Sequence, residues 1–335
     1  MKITSSRVSQ LIFLVIFVIL FIGTEYRGKD EISVAINSFF RADPLVTISY
    51  ILAVKTMTIL LIPGIMMILA TAILGRFFCG WICPLGTIID LVTGTIRKTV
   101  PVKFLKGRLK YYLLFILLAA ALFNVNLAGI FDPIAILVRA FTFFLYPLFG
   151  YSIRSGWTEL YALLGEKREH LDFLFAFLQN YVLPFRETFY PLAFLSLIFF
   201  IGILFLERYE KRNWCKNLCP LGALLGIIGN FSIFRRIPGK LCADCGKCEE
   251  ICPTGFDTEI LQKGDCILCM DCRLQCAFKR VRFSLKRIPG QKEGKAGGTA
   301  PVLERRVFIG SLLSGFFVSR VFRFQGLCLP VTGAV

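Results

Sequence analysis

The chain has 335 residues, 56% of them hydrophobic and only 18% charged, with a mean hydropathy of +0.69. That balance excludes an ordinary soluble globule and makes the position of a membrane the first question. The formal charge of +17 would suit nucleic acid, but the basic residues flank apolar runs, so they read as topology signals and no nucleic acid is expected as a partner.

A membrane helix needs about 20 mostly apolar residues to cross a hydrocarbon layer of about 30 Å, and four segments come close. The first runs from Val8 to Gly23 behind the basic residues Lys2 and Arg7. No small-x-small cleavage site follows, so it reads as an uncleaved anchor. The second lies within Met57–Gly75, starting as early as Tyr50, with a kink expected at Pro63 and Gly64. The third covers Tyr111–Ile130 and the fourth Tyr190–Leu206. Between them, residues 132–189 are apolar but interrupted by Pro, Arg and Asp, a pattern expected of interfacial or re-entrant pieces packed on the bundle. Few ionisable residues fall within the spans, Lys55 being the nearest, which weighs against a transporter.

Lys and Arg number 2 in the N-terminus, 7 in 76–110 and 19 in 208–306, against 3 in 27–41 and 5 in 139–186. The excess marks the cytoplasmic side, so the N-terminus and everything after the fourth span should face the cytoplasm. The expected fold is mainly α: a membrane four-helix bundle over residues 1–230, then a cytoplasmic α+β module over 231–285. Residues 286–306, rich in Gly, Lys and Pro, read as a flexible linker.

Residues 79–86 read CGWICPLG and residues 215–222 read CKNLCPLG, each after an apolar span and each with an arginine three residues before its first cysteine, Arg76 and Arg212. Span, outer loop, span and Cys phrase therefore occur twice. Two cysteines at i and i+4 share one face of a helical turn, and the proline limits how the helix continues. Cys79 with Cys83, and Cys215 with Cys219, could meet a metal, a quinone or each other, as redox or docking elements. A lone buried cysteine is usually an inert small hydrophobe, a poor description of four in matched phrases.

Eight of the 13 cysteines fall between Cys242 and Cys276, while the chain has a single histidine, His170, a balance favouring thiolate-ligated metal. Residues 242–253 read CADCGKCEEICP and 266–277 read CILCMDCRLQCA. Both follow CxxCxxCxxxC, the spacing of a bacterial two-cluster ferredoxin module. Three close thiolates hold three corners of a cubane and the fourth reaches the other cluster. One 4Fe–4S cluster thus takes Cys242, Cys245, Cys248 and Cys276, and the second takes Cys266, Cys269, Cys272 and Cys252. Zinc sites close with four ligands and do not repeat this three-plus-one pattern. Disulfides do not suit a reducing compartment. Ala277 stands where the first motif has Pro253, a turn residue and not a ligand. No cysteine is followed by the histidine of a c-type haem motif, and one histidine cannot supply a bis-histidine haem.

The stretches GRFFCGWICPLGTIID and CKNLCPLGALLGI, together with the tandem ferredoxin motif, resemble the membrane polyferredoxins, typified by the quinol-oxidising iron–sulfur subunit of periplasmic nitrate reduction. The resemblance covers roughly residues 1–285. It implies a multi-pass protein of a bacterial-type inner membrane, with lipid around four helices and two 4Fe–4S clusters on the cytoplasmic side. It also implies electron transfer between the quinone pool, or a cytoplasmic donor, and a partner redox protein or reductase complex. The chain is then an electron-transfer component and not a stand-alone enzyme, and no catalytic residue is assigned. In that family the matching Cys79, Cys83, Cys215 and Cys219 stand as redox pairs, a metal site or a partner contact. The alternative is an assembly or regulatory protein whose paired cysteines handle or reduce copper.

The last segment, residues 307–335, admits two readings. Glu304-Arg305-Arg306-Val307-Phe308-Ile309 resembles a twin-arginine export phrase, after which longer relatives carry a second ferredoxin domain; with only Cys328 left, that domain is expected to be absent and the product shortened. Equally, two arginines anchor an ordinary fifth helix.

Overall fold

The computed structural model describes residues 5–24, 36–95, 109–164, 173, 175–179, 183, 193–237, 251–254, 263–274, 276, 281–284 and 314. His170, Cys242, Cys245, Cys248, the linker and nearly all of residues 307–335 lie outside them. The described chain is mainly helical, with one small antiparallel ribbon.

Helix α1 is Ser5–Gly23, and α2 (Asn37–Arg41) leads into α3, Pro44–Val54. Asp43 caps α3 and Pro44 occupies its first turn, where a missing N–H costs nothing. The expected kink at Pro63 and Gly64 is displaced. The chain breaks earlier, at Lys55, whose φ of 58° ends α3, and Pro63 sits in the first turn of α4, Ile62–Leu74. Lys55 is exposed. After α5 (Phe78–Trp81) and α6 (Pro84–Thr95) come α7, Leu109–Leu122, and α8, Ala128–Phe131. The third expected span is therefore cut at Asn124, which holds φ 62°.

Within residues 132–189, the part described from Pro133 to Leu164 differs from expectation. Instead of broken pieces, α9 (Pro133–Ala140), a π-helical turn at Phe141–Leu145 and α10 (Tyr146–Leu164) run on as one helix. The π turn absorbs the register change that the sequence suggested as a break. Helix α11 is Ala193–Leu206 and α12 is Pro220–Gly229. In the module, β1 (Arg235–Ile237) pairs with β2 (Arg282–Ser284), tying its two ends, and the short α13 spans Asp271–Leu274 between them.

Among the described residues, two helices are long and apolar enough to cross a membrane, Ser5–Gly23 and Pro133–Ala162. The other expected spans form shorter apolar helices, Ile59–Leu74, Leu109–Leu122 and Ala193–Leu206. The exposed faces of α1, α4 and α11 carry Leu11, Ile12, Met66, Leu69, Phe194 and Leu195, while the interior takes Gln10, Thr47, Thr71, Arg76, Lys110 and Arg212. Such inversion suits a hydrocarbon solvent, in which apolar burial gains little and polar contacts bind helices together.

The repeat seen in the phrases extends through the fold. Helices α1, α3, α4 and α6 of the first half correspond to α7, α9, α11 and α12 of the second. Helix α1 packs on α6 as α7 packs on α12, and α3 on α4 as α9 on α11. Across the halves, α12 packs on α3 and α4 while α6 packs on α9, so the halves interlock.

Candidate thiol and iron–sulfur site

Each Cys-Pro-Leu-Gly phrase builds a helix start. Cys219 is the N-cap of α12, with Pro220 in the first turn and the Gly222 N–H donating to Cys219 Sγ at 3.3 Å. The Gly86 N–H makes the same contact to the Cys83 sulfur at the start of α6. Leu85 and Leu221 are fully buried. At Gly222, a Cβ would lie 2.2 Å from Arg76 Nη2, so the glycine makes room for a guanidinium from the other half.

That guanidinium belongs to a reciprocal pair. Arg76, before the first phrase, donates from Nη2 to the Cys215 carbonyl in the second at 2.9 Å, and Arg212, before the second, donates from Nη1 to the Cys79 carbonyl in the first at 2.9 Å. Arg76 Nε also reaches Cys79 Sγ at 3.4 Å. Both arginines are 1% exposed. Burial opposes their charge, and neighbouring carboxylates and thiols more than offset it.

The carboxylates come from different places. Asp90 on α6 takes Arg212 in a two-pronged pair at 2.8 and 2.5 Å. The residue in the equivalent position of α12 is Gly226, and a Cβ there would stand 3.3 Å from Asp265 Oδ1. Asp265 enters from the loop that precedes Cys266, meeting Arg76 Nη1 at 3.2 Å and Lys110 Nζ at 2.6 Å. A carboxylate that the first half carries on its own helix is thus supplied to the second by the residue just before Cys266.

All four phrase cysteines are buried and belong to one core cluster. Burial raises the thiols of Cys83 and Cys219, and pushes that of Cys215 up to about 12, so bare thiolates are disfavoured there. Among the described residues no cysteine is in a disulfide, and no three Cys, His, Asp or Glu side chains are placed to hold a single metal ion.

The loop from Lys263 to Cys272 lies on this centre. Trp81 Nε1 in the first phrase donates to the Leu268 carbonyl at 3.1 Å, and Ser6 Oγ at the start of α1 donates to the Cys269 carbonyl at 3.1 Å. Gly80 lets the Ile267 carbonyl approach so closely that a Cβ would stand 2.2 Å from it. The Gly264 N–H donates to Asn230 Oδ1 at 2.7 Å, just beyond α12.

The loop also fits a cubane. Leu268 and Met270, flanking Cys269, hold φ of 55° and 62°, a left-handed geometry that non-glycine residues adopt at a cost. The backbone N–H groups of Leu268 and Asp271 are directed at the sulfurs of Cys266 and Cys269, the kind of contact that tunes a cluster. Cys252 lies within electrostatic reach of both Cys266 and Cys269. Cys272 and Cys276 are described and half-buried. Sequence reasoning missed Asp90, Asp265 and the exchange of arginines. The aligned Arg-x-x-Cys was a visible trace of the arginines, but nothing local showed that each serves the opposite phrase.

A family model described as a 4Fe–4S binding domain matches residues 56–103 and again 192–240, each time around one phrase. Ferredoxin-type protein NapH of Haemophilus influenzae is 27% identical over 278 residues, 78% of this chain and 80% of the relative. Methylamine utilization ferredoxin-type protein MauN of Methylorubrum extorquens is 24% identical over 234 residues, 68% of this chain and 65% of the relative. Regulatory protein NosR of Stutzerimonas stutzeri is 24% identical over 205 residues, 59% of this chain but only 23% of the relative. No solved structure matches.

Proposed function

Because this chain belongs to the membrane polyferredoxin family, we propose that it is a membrane-bound electron carrier with two 4Fe–4S clusters, linking the quinone pool or a cytoplasmic donor to a partner redox protein. The observation that carries the reading is the seating of the Lys263–Cys272 loop on the first phrase and on Arg76, with Cys252 reaching across to Cys266 and Cys269. Cys266, Cys269, Cys272 and Cys252 would hold the cluster nearer the membrane part; Cys242, Cys245, Cys248 and Cys276 the other. Bound clusters supply one-electron transfer.

The chain's own residues then have separate tasks. Arg76, Lys110 and Asp265 clamp the loop to the helices, and Trp81 fixes its height above the first phrase. The buried arginines put positive charge beside the phrases, favouring an electron arriving there. Oxidation of a quinol releases two electrons and two protons; two bound clusters, each taking one electron, would match that count, with the protons released to water. The four phrase cysteines serve between that donor and the loop. A four-helix multi-pass topology, with the N-terminus and module cytoplasmic, is the arrangement that the Lys and Arg distribution supports.

Iron analysis of the purified chain is expected to give about eight irons, and the reduced protein a spin signal from two interacting cubanes. About four irons or fewer would overturn the two-cluster reading. Cys79→Ser and Cys215→Ser should abolish quinol-driven bleaching of cluster absorbance while iron content holds; bleaching at the wild-type rate would remove the phrases from the route.

A further inference from the structure

A second symmetric feature lies apart from the cysteines. Asp43-Pro44-Leu45-Val46 opens α3, and Asp132-Pro133-Ile134-Ala135 opens its counterpart α9. Each aspartate caps its helix with one oxygen only. Asp43 Oδ1 accepts from the N–H of Leu45 at 2.7 Å and of Val46 at 3.4 Å, and Asp132 Oδ2 accepts from Ile134 at 3.0 Å and Ala135 at 2.9 Å. Both side chains are 0% exposed, and their other oxygens, Asp43 Oδ2 and Asp132 Oδ1, have no hydrogen-bond donor. The two carboxyls are near enough to interact directly, oxygen towards oxygen.

We propose that Asp43 and Asp132 form a proton-binding site that holds one shared proton where the two halves of the chain meet. Two ionised carboxylates facing each other in a dry interior would repel, and neither orphan oxygen would have a partner. A proton on Asp43 Oδ2 donated to Asp132 Oδ1 satisfies both at once. It leaves one negative charge, stabilised by the N–H groups of a helix start. Burial raises both carboxyls above the ordinary carboxylate range, in keeping with a proton held between them.

Among the described residues, no cation takes the proton's place. The elements packed around the pair carry Arg41, Lys55, Asp90, Lys110 and Arg139 as charged side chains. Arg41 and Lys55 are exposed, and Asp90 and Lys110 are engaged by Arg212 and Asp265. Arg139 is the cation that acts on Asp132, and its half-buried guanidinium is directed to the Ile130 carbonyl at 3.5 Å. Thr47 Oγ1, one turn along α3 from Asp43, is likewise buried and without a hydrogen-bond partner. The site is independent of the cysteine chemistry, so it stands or falls separately from the electron-transfer reading.

The test is infrared spectroscopy of the full chain in detergent at about pH 8, far above the ordinary carboxylate range near 4. A protonated carboxyl band is expected that shifts when aspartate is 13C-labelled and is lost in Asp43→Asn and in Asp132→Asn. Each variant is expected to remain folded, since the amide can donate to the remaining carboxylate. Labelled wild-type protein without such a band overturns the proposal whether or not the variants fold. So does stability that depends on sodium and loses that dependence in either variant, which would make the pair a cation site.

Discussion

The two halves of this chain use one phrase to different ends. In the first, Gly80 and Trp81 between the cysteines receive the Ile267 and Leu268 carbonyls of the iron–sulfur module. In the second, Lys216 and Asn217 hold the same places, and Asn217 turns inward to bond Asn213 Oδ1 at 2.8 Å. The repeated residues (Arg, Cys, Cys, Pro, Leu, Gly) build the frame, and the residues that differ decide which phrase receives the Ile267 and Leu268 carbonyls, while the second half meets the same loop through Gly226 and Asn230. The carboxylate partners diverge in the same way: Arg212 has a resident partner in Asp90, while Arg76 depends on one brought by the module. The two matching halves are in this way asymmetric at a few positions while keeping their interlock.

The largest expected effect comes from breaking one arginine and not the other. Among the described residues, Arg212→Ala leaves Asp90 with a single donor, Gln10 Nε2 at 3.2 Å, and takes from the Cys79 carbonyl its arginine donor, a loss of about 3–5 kcal/mol for a broken buried pair. Arg76→Ala should cost less, because Lys110 still holds Asp265 at 2.6 Å. Unfolding in detergent would show this order, and the reverse order would break the contrast between resident and borrowed carboxylates.

Next in size is a pH effect confined to the second half. Glu207 is buried, accepting from the N–H groups of Asn213 and Trp214 at 3.2 Å, and burial raises its carboxyl from 4.5 to about 7. The equivalent residue in the first half is Thr71, whose hydroxyl donates to the Met67 carbonyl at 2.8 Å. Folding thus favours the protonated acid. Its contribution is complete below about pH 4.5 and is lost as pH rises through about 7, a total of about 3 kcal/mol. Glu207→Gln should flatten the stability curve over that window; an unchanged slope would assign the titration elsewhere.

These contrasts also show what a sequence can carry. The tandem cysteine motif and the duplicated phrase were legible because ligand spacing and helix starts are local. The long helix through Pro133–Ala162 was not, since a π turn can carry a helix past residues that look like breakers. The arginine exchange and the facing aspartates were hidden for another reason. They are set by how two halves interlock, and Asp43 and Asp132 lie in short Asp-Pro openings that look like ordinary caps until α3 and α9 are seen as equivalents.

The smallest effect is the sharpest test of the comparison. If Asp265 stands in for an aspartate that α12 lacks, moving the carboxylate should be tolerated better than either half of the move. Gly226→Asp alone crowds a second carboxylate against Asp265, 3.3 Å from where its Cβ would stand, and sets like charges around Arg76. Asp265→Asn alone leaves Arg76 and Lys110 facing each other without their shared anion. Combined, the two changes return one carboxylate to Arg76, now from α12 across the halves, as Asp90 on α6 serves Arg212. A double-mutant cycle by unfolding in detergent should therefore show favourable coupling of about 1–2 kcal/mol. The rescued protein should also hold its module more loosely, because the Arg76 link no longer crosses to the residue before Cys266. Additive losses would mean that Gly226 serves only close packing against the loop, and that the likeness between Asp90 and Asp265 is one of position without shared function.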